Sequence, residues 1–360
     1  MNIILSGGGT AGHITPAISI YDHLKKTGHN PRLVVAERDY NLIPPHYDYN
    51  YLEINSPGNI LKNIAFLLKF IPSMIKSNNI INKHKPECII GMGGFVSMPM
   101  LYVAKLKHIP IFLCEQNSIP GKVNKIFYKD AKGSYLTFSK TLQYMPKGKV
   151  TGNPVRDDFF IVNRKSARII MKLKDDDKLL VVMGGSQGAL KLNNIFLDCI
   201  KTVKENVNNL HIVWLAGPKW GSEIIAKVND KKITNVTVHS YYRDMATLLH
   251  AADFVVSRAG SSSISEILAV NVPSLLVPFP YATDNHQYYN ALELVNKDMA
   301  YLMNEADLDS KQLGDIIMKN LNNQNRLNVM RENIRKNYTS RAVTAIVNDI
   351  LSIMANNKRK

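Results

Sequence analysis

An alternation that recurs along the chain constrains its fold more than any other feature: short β-branched, apolar runs are each followed by a helical pattern. Such alternation marks parallel sheets with helices packed on both faces. In the first half the runs are "NIIL", "RLVVA", "CIIGMG" and "IPIFLC"; in the second they are "KLLVVMG", "HIVWLAG", "ADFVVS" and "PSLLVPF". Each half also opens alike, with "NIILSGGGTAGHITPAIS" and "LLVVMGGSQGALKLNN" both reading as strand, glycine-rich turn and helix. At 360 residues the chain is long for a single core. The expected fold is therefore α/β, with two doubly wound, Rossmann-like parallel-sheet domains facing a deep cleft where a ligand would lie. The break is expected near "KVTGNPVRDDF", Lys149 to Phe159, dividing the chain into domains 1–155 and 156–338. A last helix within 339–360 is a candidate to pack back on the first domain.

Composition narrows the partners. The 45 Lys and Arg against 29 Asp and Glu give a formal charge of +16, which favours anionic ligands or an acidic membrane surface. The lysines are scattered and no nucleic-acid motif is present, so nucleic acid is not an expected partner. Cys88, Cys114 and Cys199 lie far apart in or beside apolar runs, and "MNIIL" enters a strand without a signal-peptide pattern. Both point to a reducing cytosol. No uninterrupted apolar run reaches the length that crosses a bilayer.

Three glycine loops carry the candidate chemistry. In "SGGGTAGHITP", Gly7, Gly9 and Gly12 match the G-x-G-x-x-G fingerprint of dinucleotide binding, and Glu37 follows the next strand where an acidic residue would hold a ribose. An NAD-binding oxidoreductase is thus one reading. His13 directly follows the third glycine, and Thr15 with Pro16 predicts a helix start just beyond it. The imidazole either packs in the loop or acts as a base at the ligand. The second loop, "GMGGFVSMP", and the third, "GGSQGALKLN", also end strands. Glycines there permit close approach of phosphate to the amides of the following helix, so Gly8, Gly9, Gly93 and Gly94 are candidates to cradle a diphosphate.

Three further stretches need two readings each. In "SRAGSSSISE", Glu266 is read in the first turn of a helix, where Ser263-x-x-Glu266 is either a capping box or a ribose-binding carboxylate beside diphosphate-binding serines. In "DDDK", Asp175 to Lys178, a D-x-D of the kind that binds metal competes with a solvated turn, and the turn is preferred. In residues 60–85, Lys62, Lys69, Lys76 and Lys83 recur every seven residues beside Phe66, Leu67, Phe70, Met74 and Ile75, with Pro72 expected to break the helix. This is either an interfacial membrane patch or a buried helix pair with a lysine edge.

Taken in order, "GGGTAGHITP", "GMGGFVSMP", "CEQNSIPGKVNK", "TGNPVR", "GGSQGALKLN" and "SRAGSSSISE…PFPYATDNHQYYNA" resemble the motifs of the MurG family. These are peripheral membrane N-acetylglucosaminyltransferases that convert lipid I to lipid II in peptidoglycan synthesis. The resemblance implies a GT-B fold, UDP-N-acetylglucosamine as donor and an undecaprenyl-diphosphate muramyl peptide as acceptor. It further implies inversion at the anomeric carbon, no cofactor and no obligatory metal, and a place on the cytoplasmic face of the membrane with other cell-wall synthesis proteins as candidate partners. Carried over by motif, Asn117 faces the sugar hydroxyls, and Arg156 and Ser186 hold the diphosphate. Tyr242 lies beside uracil, Ser261, Ser262 and Ser263 line the diphosphate and sugar, and Glu266 takes the ribose. His286 and Gln287 stand where many members carry two glutamines. Thr10, Gly12 and Gln187 complete the donor set, and His13 is the candidate base. A GT-B transferase with another lipid acceptor remains an alternative.

Overall fold

The computed structural model describes residues 1–54, 60–185, 187–338 and 341–357, excepting the side chains of 11, 40, 41 and 60–68. It divides into two compact units, 1–156 with 339–360, and 157–338. The first unit runs β1 (Asn2–Ser6), α1 (Ala11–Lys26), β2 (Asn30–Ala36), β3 (Tyr49–Leu52), α2 (Ile60–His84), β4 (Cys88–Gly91), α3 (Ser97–Leu106), β5 (Ile111–Glu115), α4 (Lys122–Phe127), β6 (Gly133–Leu136) and β7 (Lys149–Val150). The second runs α5 (Asp158–Ile161), α6 (Arg164–Ile170), β8 (Lys178–Met183), α7 (Leu190–Asn206), β9 (Leu210–Leu215), α8 (Gly221–Asp230), β10 (Val236–His239), α9 (Met245–Ala251), β11 (Phe254–Ser257), α10 (Ser261–Ala269), β12 (Ser274–Leu276), α11 (His286–Val295), β13 (Ala300–Leu302), α12 (Ser310–Leu321) and α13 (Gln324–Asn337). A final helix, α14 (Ala342–Asn357), belongs to the first unit.

Both sheets are parallel and share one order. The first is β3-β2-β1-β4-β5-β6-β7 and the second β10-β9-β8-β11-β12-β13. Each therefore begins at an inner strand, winds outward, then crosses back to wind the other way. The boundary between β1 and β4, and that between β8 and β11, is a topological switch point, where the following helices go to opposite faces and ligands bind at the strand carboxyl ends.

Strand periodicity explains the continuous apolar runs. Ile3, Leu5, Leu33, Val35 and Ile90 face one side, against α1 and against Ile346, Val347, Ile350 and Met354 of α14. Ile4, Val34 and Ile89 face the other, in the layer with Ile80, Met100 and Leu101. A sheet covered on both faces needs apolar side chains at consecutive positions. In the second unit Trp214 packs edge-on to Phe196 of α7, with ring centroids 4.9 Å apart, in a core that also contains Leu313 and Ile317 of α12. The three cysteines are buried thiols, and loss of solvation raises Cys88 and Cys199 to about 12.

Two expectations are corrected here. Residues 60–84 form one helix straight through Pro72, which sits on an exposed position and forfeits a single backbone bond. The first helix begins at Ala11, four residues before Thr15, because Gly9 turns with φ +92° and Thr10 is the extended cap. Pro16 then lies inside the helix, where burial of Ile14, Ala17, Ile20 and Leu24 offsets its missing N–H.

The last helix is tied down by chemistry as well as burial. Asp349 accepts hydrogen bonds from the Tyr135 hydroxyl at 3.0 Å and from Lys149 Nζ at 2.6 Å. Ile350 is 1% exposed, so Ile350→Ala is expected to destabilise the first unit by about 2–5 kcal/mol. Both tryptophans, Trp214 and Trp220, lie in the second unit. Urea unfolding should thus show an earlier transition by circular dichroism with the tryptophan fluorescence transition unmoved.

Candidate functional site

In the first unit the loops after β1 and β4 meet so closely that glycine is required at their contact. A Cβ on Gly94, at φ +78°, would lie 2.1 Å from the Gly8 carbonyl oxygen, and one on Gly7 would lie 2.5 Å from Met92 Cβ. A Cβ on Gly93 would stand 3.2 Å from His13 Cδ2 and Nε2. The structure thus gathers Gly8, Gly9, Thr10, His13, Gly93 and Gly94 into one cluster at the switch point.

His13 occupies the third position of α1, inside its first turn. Its Nδ1 lies 3.0 Å from the Gly8 carbonyl and 3.3 Å from Thr10 Oγ1. A carbonyl only accepts, so Nδ1 carries the hydrogen and the acceptor lone pair sits on Nε2. That is the tautomer a general base requires.

The acidic residue that meets this loop is Asp39, not Glu37. Glu37 is exposed at the start of a 3-10 helix, Glu37–Leu42. Asp39 is 4% exposed and its Oδ2 accepts from the Gly9 N–H at 2.5 Å. The amide that a dinucleotide's pyrophosphate would need is therefore occupied by a carboxylate, which repels it. For the same reason Gly8 and Gly9 shape the turn rather than offer a free phosphate cradle, and the conformational demand on these glycines comes from loop packing. Asp39 was not singled out from the sequence; its place depends on where the segment after β2 lands.

Glu115 organises the third loop of this edge, which begins at the end of β5. Its buried carboxylate accepts from Asn117 N at 2.9 Å, Gly121 N at 3.0 Å and Asn124 Nδ2 at 2.8 Å. Desolvation nevertheless pushes its pKa above the usual carboxylate range. Thr141 Oγ1 donates to the Asn117 carbonyl, so Asn117 is held from two sides. Arg156 is the last residue of the first unit's main segment.

The second unit repeats the plan. After β8, Gly185 and Gly188 turn with positive φ, and a Cβ on Gly188 would sit 2.4 Å from the Ala216 carbonyl. Gln187 is exposed in this turn, and Ser186 lies outside the described residues. Asn193 of α7 fastens the loop by donating to Ala216 O at 2.9 Å while accepting from Trp214 Nε1 at 3.1 Å. After β11, α10 starts at Ser261 behind Gly260. Ser261 is buried and Ser262 and Ser263 are half-buried. Because the helix starts three residues earlier than a capping box needs, Glu266 falls in the second turn, and no side chain caps the start. The local alternative for Glu266 is thereby removed.

Arg258 joins these loops. It is 8% exposed, pairs with Glu305, and donates from Nη1 to the Val277 and Pro278 carbonyls at 3.3 and 3.1 Å. It thereby pins the loop after β12. In that loop Gln287 Oε1 accepts from Phe279 N at 2.9 Å, and His286 Nδ1 donates to Thr283 O at 2.7 Å. Burial pushes the His286 pKa down, so its neutral form is favoured. Tyr242 lies beyond β10 on the same carboxyl edge, its ring 5.0 Å edge-on from His239 and its hydroxyl 3.5 Å from Met171 Sδ. The Asp175–Asp177 turn lies at the start of β8, on the opposite edge, where Asp177 accepts from Lys174 N at 2.7 Å and Asp176 from Asn209 Nδ2 at 2.6 Å.

The lysine-bearing helix is also redrawn. The side chains of Lys62, Phe66 and Leu67 lie outside those described. Phe70 and Met74 are partly buried against the core, and it is Ile71 and Ile75 that reach solvent. Lys69 is exposed and Lys76 lies 3.9 Å from the Tyr51 ring.

Two parallel-sheet units of Rossmann strand order, each with glycine turns at its switch point, define the GT-B fold. The chain belongs to glycosyltransferase family 28: residues 3–136 match the family's N-terminal domain and residues 179–346 its C-terminal domain. It is 32% identical over 366 residues to the UDP-N-acetylglucosamine--N-acetylmuramyl-(pentapeptide) pyrophosphoryl-undecaprenol N-acetylglucosamine transferase of Acetivibrio thermocellus, covering 99% of each chain. It is 34% identical over 369 residues to the transferase of the same name from Christiangramia forsetii, covering 99% and 98%. The crystal structure of Acinetobacter baumannii MurG shares the fold with a TM-score of 0.77 at 21% identity, over 97% of this chain and 99% of that one. The UDP-GlcNAc 2-epimerase of Neisseria meningitidis, bound to UDP-GlcNAc, matches at a TM-score of 0.69 and 14% identity, over 98% and 100%.

Removing Glu305 would strand the Arg258 charge. Glu305→Ala is expected to cost about 3–5 kcal/mol, the usual penalty for breaking a buried ion pair. It should be read as a lowered urea midpoint in tryptophan fluorescence; an unchanged midpoint would show that water reaches Arg258.

Proposed function

We propose that the chain transfers N-acetylglucosamine from UDP-N-acetylglucosamine, with inversion, to an undecaprenyl-diphosphate muramyl peptide, converting lipid I to lipid II. The observation that carries this reading is the convergence at one edge of the second sheet. A positive-φ glycine turn, the starts of α7 and α10 and the half-buried Glu266 all meet there.

Each part answers a need of the reaction. The anomeric C–O bond breaks with its electron pair going to a diphosphate oxygen, so the developing charge needs fixed donors. Helix starts and glycine-turn amides supply them without reorganisation. Gln187 and Ser261 to Ser263 line the diphosphate, Glu266 accepts from the ribose diol, Tyr242 lies beside uracil, and His286 and Gln287 orient the sugar. In the first unit His13 Nε2 takes the proton from the acceptor hydroxyl as that oxygen attacks the anomeric carbon. The acceptor's diphosphate meets the Gly93–Gly94 turn and the start of α3.

The decisive experiment follows labelled N-acetylglucosamine from its UDP donor into a lipid I analogue in the presence of a chelator. Transfer is expected to persist. Glu266→Ala should raise the donor KM about ten- to a hundredfold, from loss of about 1.5–3 kcal/mol of charge-assisted hydrogen bonding. His13→Ala should lower kcat about 10²- to 10⁴-fold. Donor binding without transfer to any lipid I analogue would redirect the reading to another lipid acceptor.

A lipid-linked acceptor also requires a bilayer surface, and a peripheral position on the cytoplasmic face follows. Among the described residues no helix is long and apolar enough to cross a membrane. Instead α2 and α3 leave Ile71 and Leu106 more than 60% exposed, with Ile75 and Tyr102 beside them and Lys69 and Lys83 at hand for anionic headgroups. Ile71→Ser with Ile75→Ser should weaken sedimentation with phosphatidylglycerol vesicles about tenfold or more, given roughly 1.5–3 kcal/mol per buried isoleucine. Undiminished binding would move the membrane face elsewhere.

A further inference from the structure

Two contacts described above fall on a single peptide group. The Gly9 N–H that Asp39 accepts and the Gly8 C=O that His13 engages belong to the same Gly8–Gly9 amide. Read through, the order is Asp39 carboxylate, amide N–H, amide C=O, His13 Nδ1–H, leaving Nε2 as the acceptor. We propose that Asp39 is a positioning residue for His13, acting through the Gly8–Gly9 peptide as a carboxylate acts directly on imidazole in a catalytic dyad. The proposal rests on His13 being the base.

The physics favours such a relay here. An amide whose N–H is held by a carboxylate is polarised, which makes its carbonyl a better acceptor and strengthens the bond to the imidazole. That bond fixes both the tautomer and the ring. When Nε2 takes the acceptor's proton the imidazole becomes a cation, and it does so at the start of α1, where the helix dipole disfavours positive charge. A buried carboxylate across one peptide compensates. The proton stays on Nε2, and the electron pair of the breaking C–O bond leaves with UDP.

Arg38 brings the opposite charge to the same turn. Arg38 donates from Nη2 to the Gly9 carbonyl at 3.2 Å, but its side chain is 57% exposed against 6% for Asp39. Water screens the guanidinium far more than the carboxylate, so the negative charge dominates. From the loop after β4 the imidazole meets Gly93, and behind it stands the neutral Gln116, whose Oε1 would be 3.6 Å from a Cβ on Gly93. The geometry also leaves no slack, because a Cβ on Gly8 would fall 2.6 Å from Asp39 Oδ2.

The test compares kcat, donor KM and the pH–rate profile of the full-length enzyme with Asp39→Asn, Asp39→Glu, His13→Ala and the double variant Asp39→Asn/His13→Ala. Asparagine can still accept from Gly9, so Asp39→Asn removes charge and keeps shape. It should lower kcat roughly tenfold or more, a part of what the base itself supplies, with donor KM within about twofold. Losing a negative charge makes the imidazolium easier to deprotonate, so the acid limb of the profile should move to lower pH. Asp39→Glu should recover part of the loss. Because Asp39 acts through His13, adding Asp39→Asn to His13→Ala should cost nothing further. An equal loss in both backgrounds, or an unmoved acid limb, would overturn the proposal and leave Asp39 a loop prop. An unchanged kcat in His13→Ala would instead remove the base reading itself.

Discussion

Parallel strand pairing in one particular order is the constraint on which everything else in this protein depends. When every strand runs the same way, all carboxyl ends lie on one edge of the sheet, and their loops must share it. When the winding reverses between β1 and β4, or between β8 and β11, the helices that follow go to opposite faces of the sheet, and the carboxyl-end loops of the two strands are left side by side as a binding edge. The glycine turns, the helix starts and the candidate residues of each unit are all placed by that geometry. The D-x-D turn is excluded from it by the same rule, since it feeds into a strand rather than leaving one.

Within that frame, buried charge does much of the local ordering. Glu115 gathers three N–H donors to shape the loop that presents Asn117. Arg258 collects two carbonyls and a carboxylate to fasten the segment that carries His286 and Gln287. Asp39 holds the turn against which His13 is set. A buried ion or carboxylate is costly unless its hydrogen bonds are satisfied, and for that reason each fixes its surroundings in one arrangement. Loops that a mobile polar chain would leave loose are thereby given the rigidity that transferring a sugar demands.

Much of the fold was legible from apolar runs. Eight strands were found because central strands of a covered parallel sheet are apolar at consecutive positions. The strands that escaped, β3, β6, β7, β10 and β13, lie toward the flanks, where sequences such as "YNYL" and "VTVH" carry a polar residue within a short run. Helix starts were harder to place. Thr15 and Pro16 look like a cap and a first helical position, yet the turn at Gly9 starts the helix sooner. Pro72 looks like a break, yet the packing of α2 on both sides of it carries the helix through. In the lysine-rich stretch the periodicity was real, but it could not tell which apolar stripe faced the core. Phe70 and Met74 took that place, and Ile71 and Ile75 were left outside.

The amino-acid sequence by itself determined the class of fold, the position of each glycine turn and, through motifs in order, the family. Those are properties of short stretches, where hydrophobic period and turn chemistry act over a few residues. What the tertiary structure alone decided is which distant groups meet. Asp39 reaches the Gly8–Gly9 peptide only because β2 lies beside β1, and Gly94 presses on Gly8 only because β4 lies on its other side. Tyr135 and Lys149 find Asp349 across some two hundred residues of chain because α14 returns to the first sheet. Such meetings depend on the global packing of apolar faces, and no local pattern in the chain encodes them.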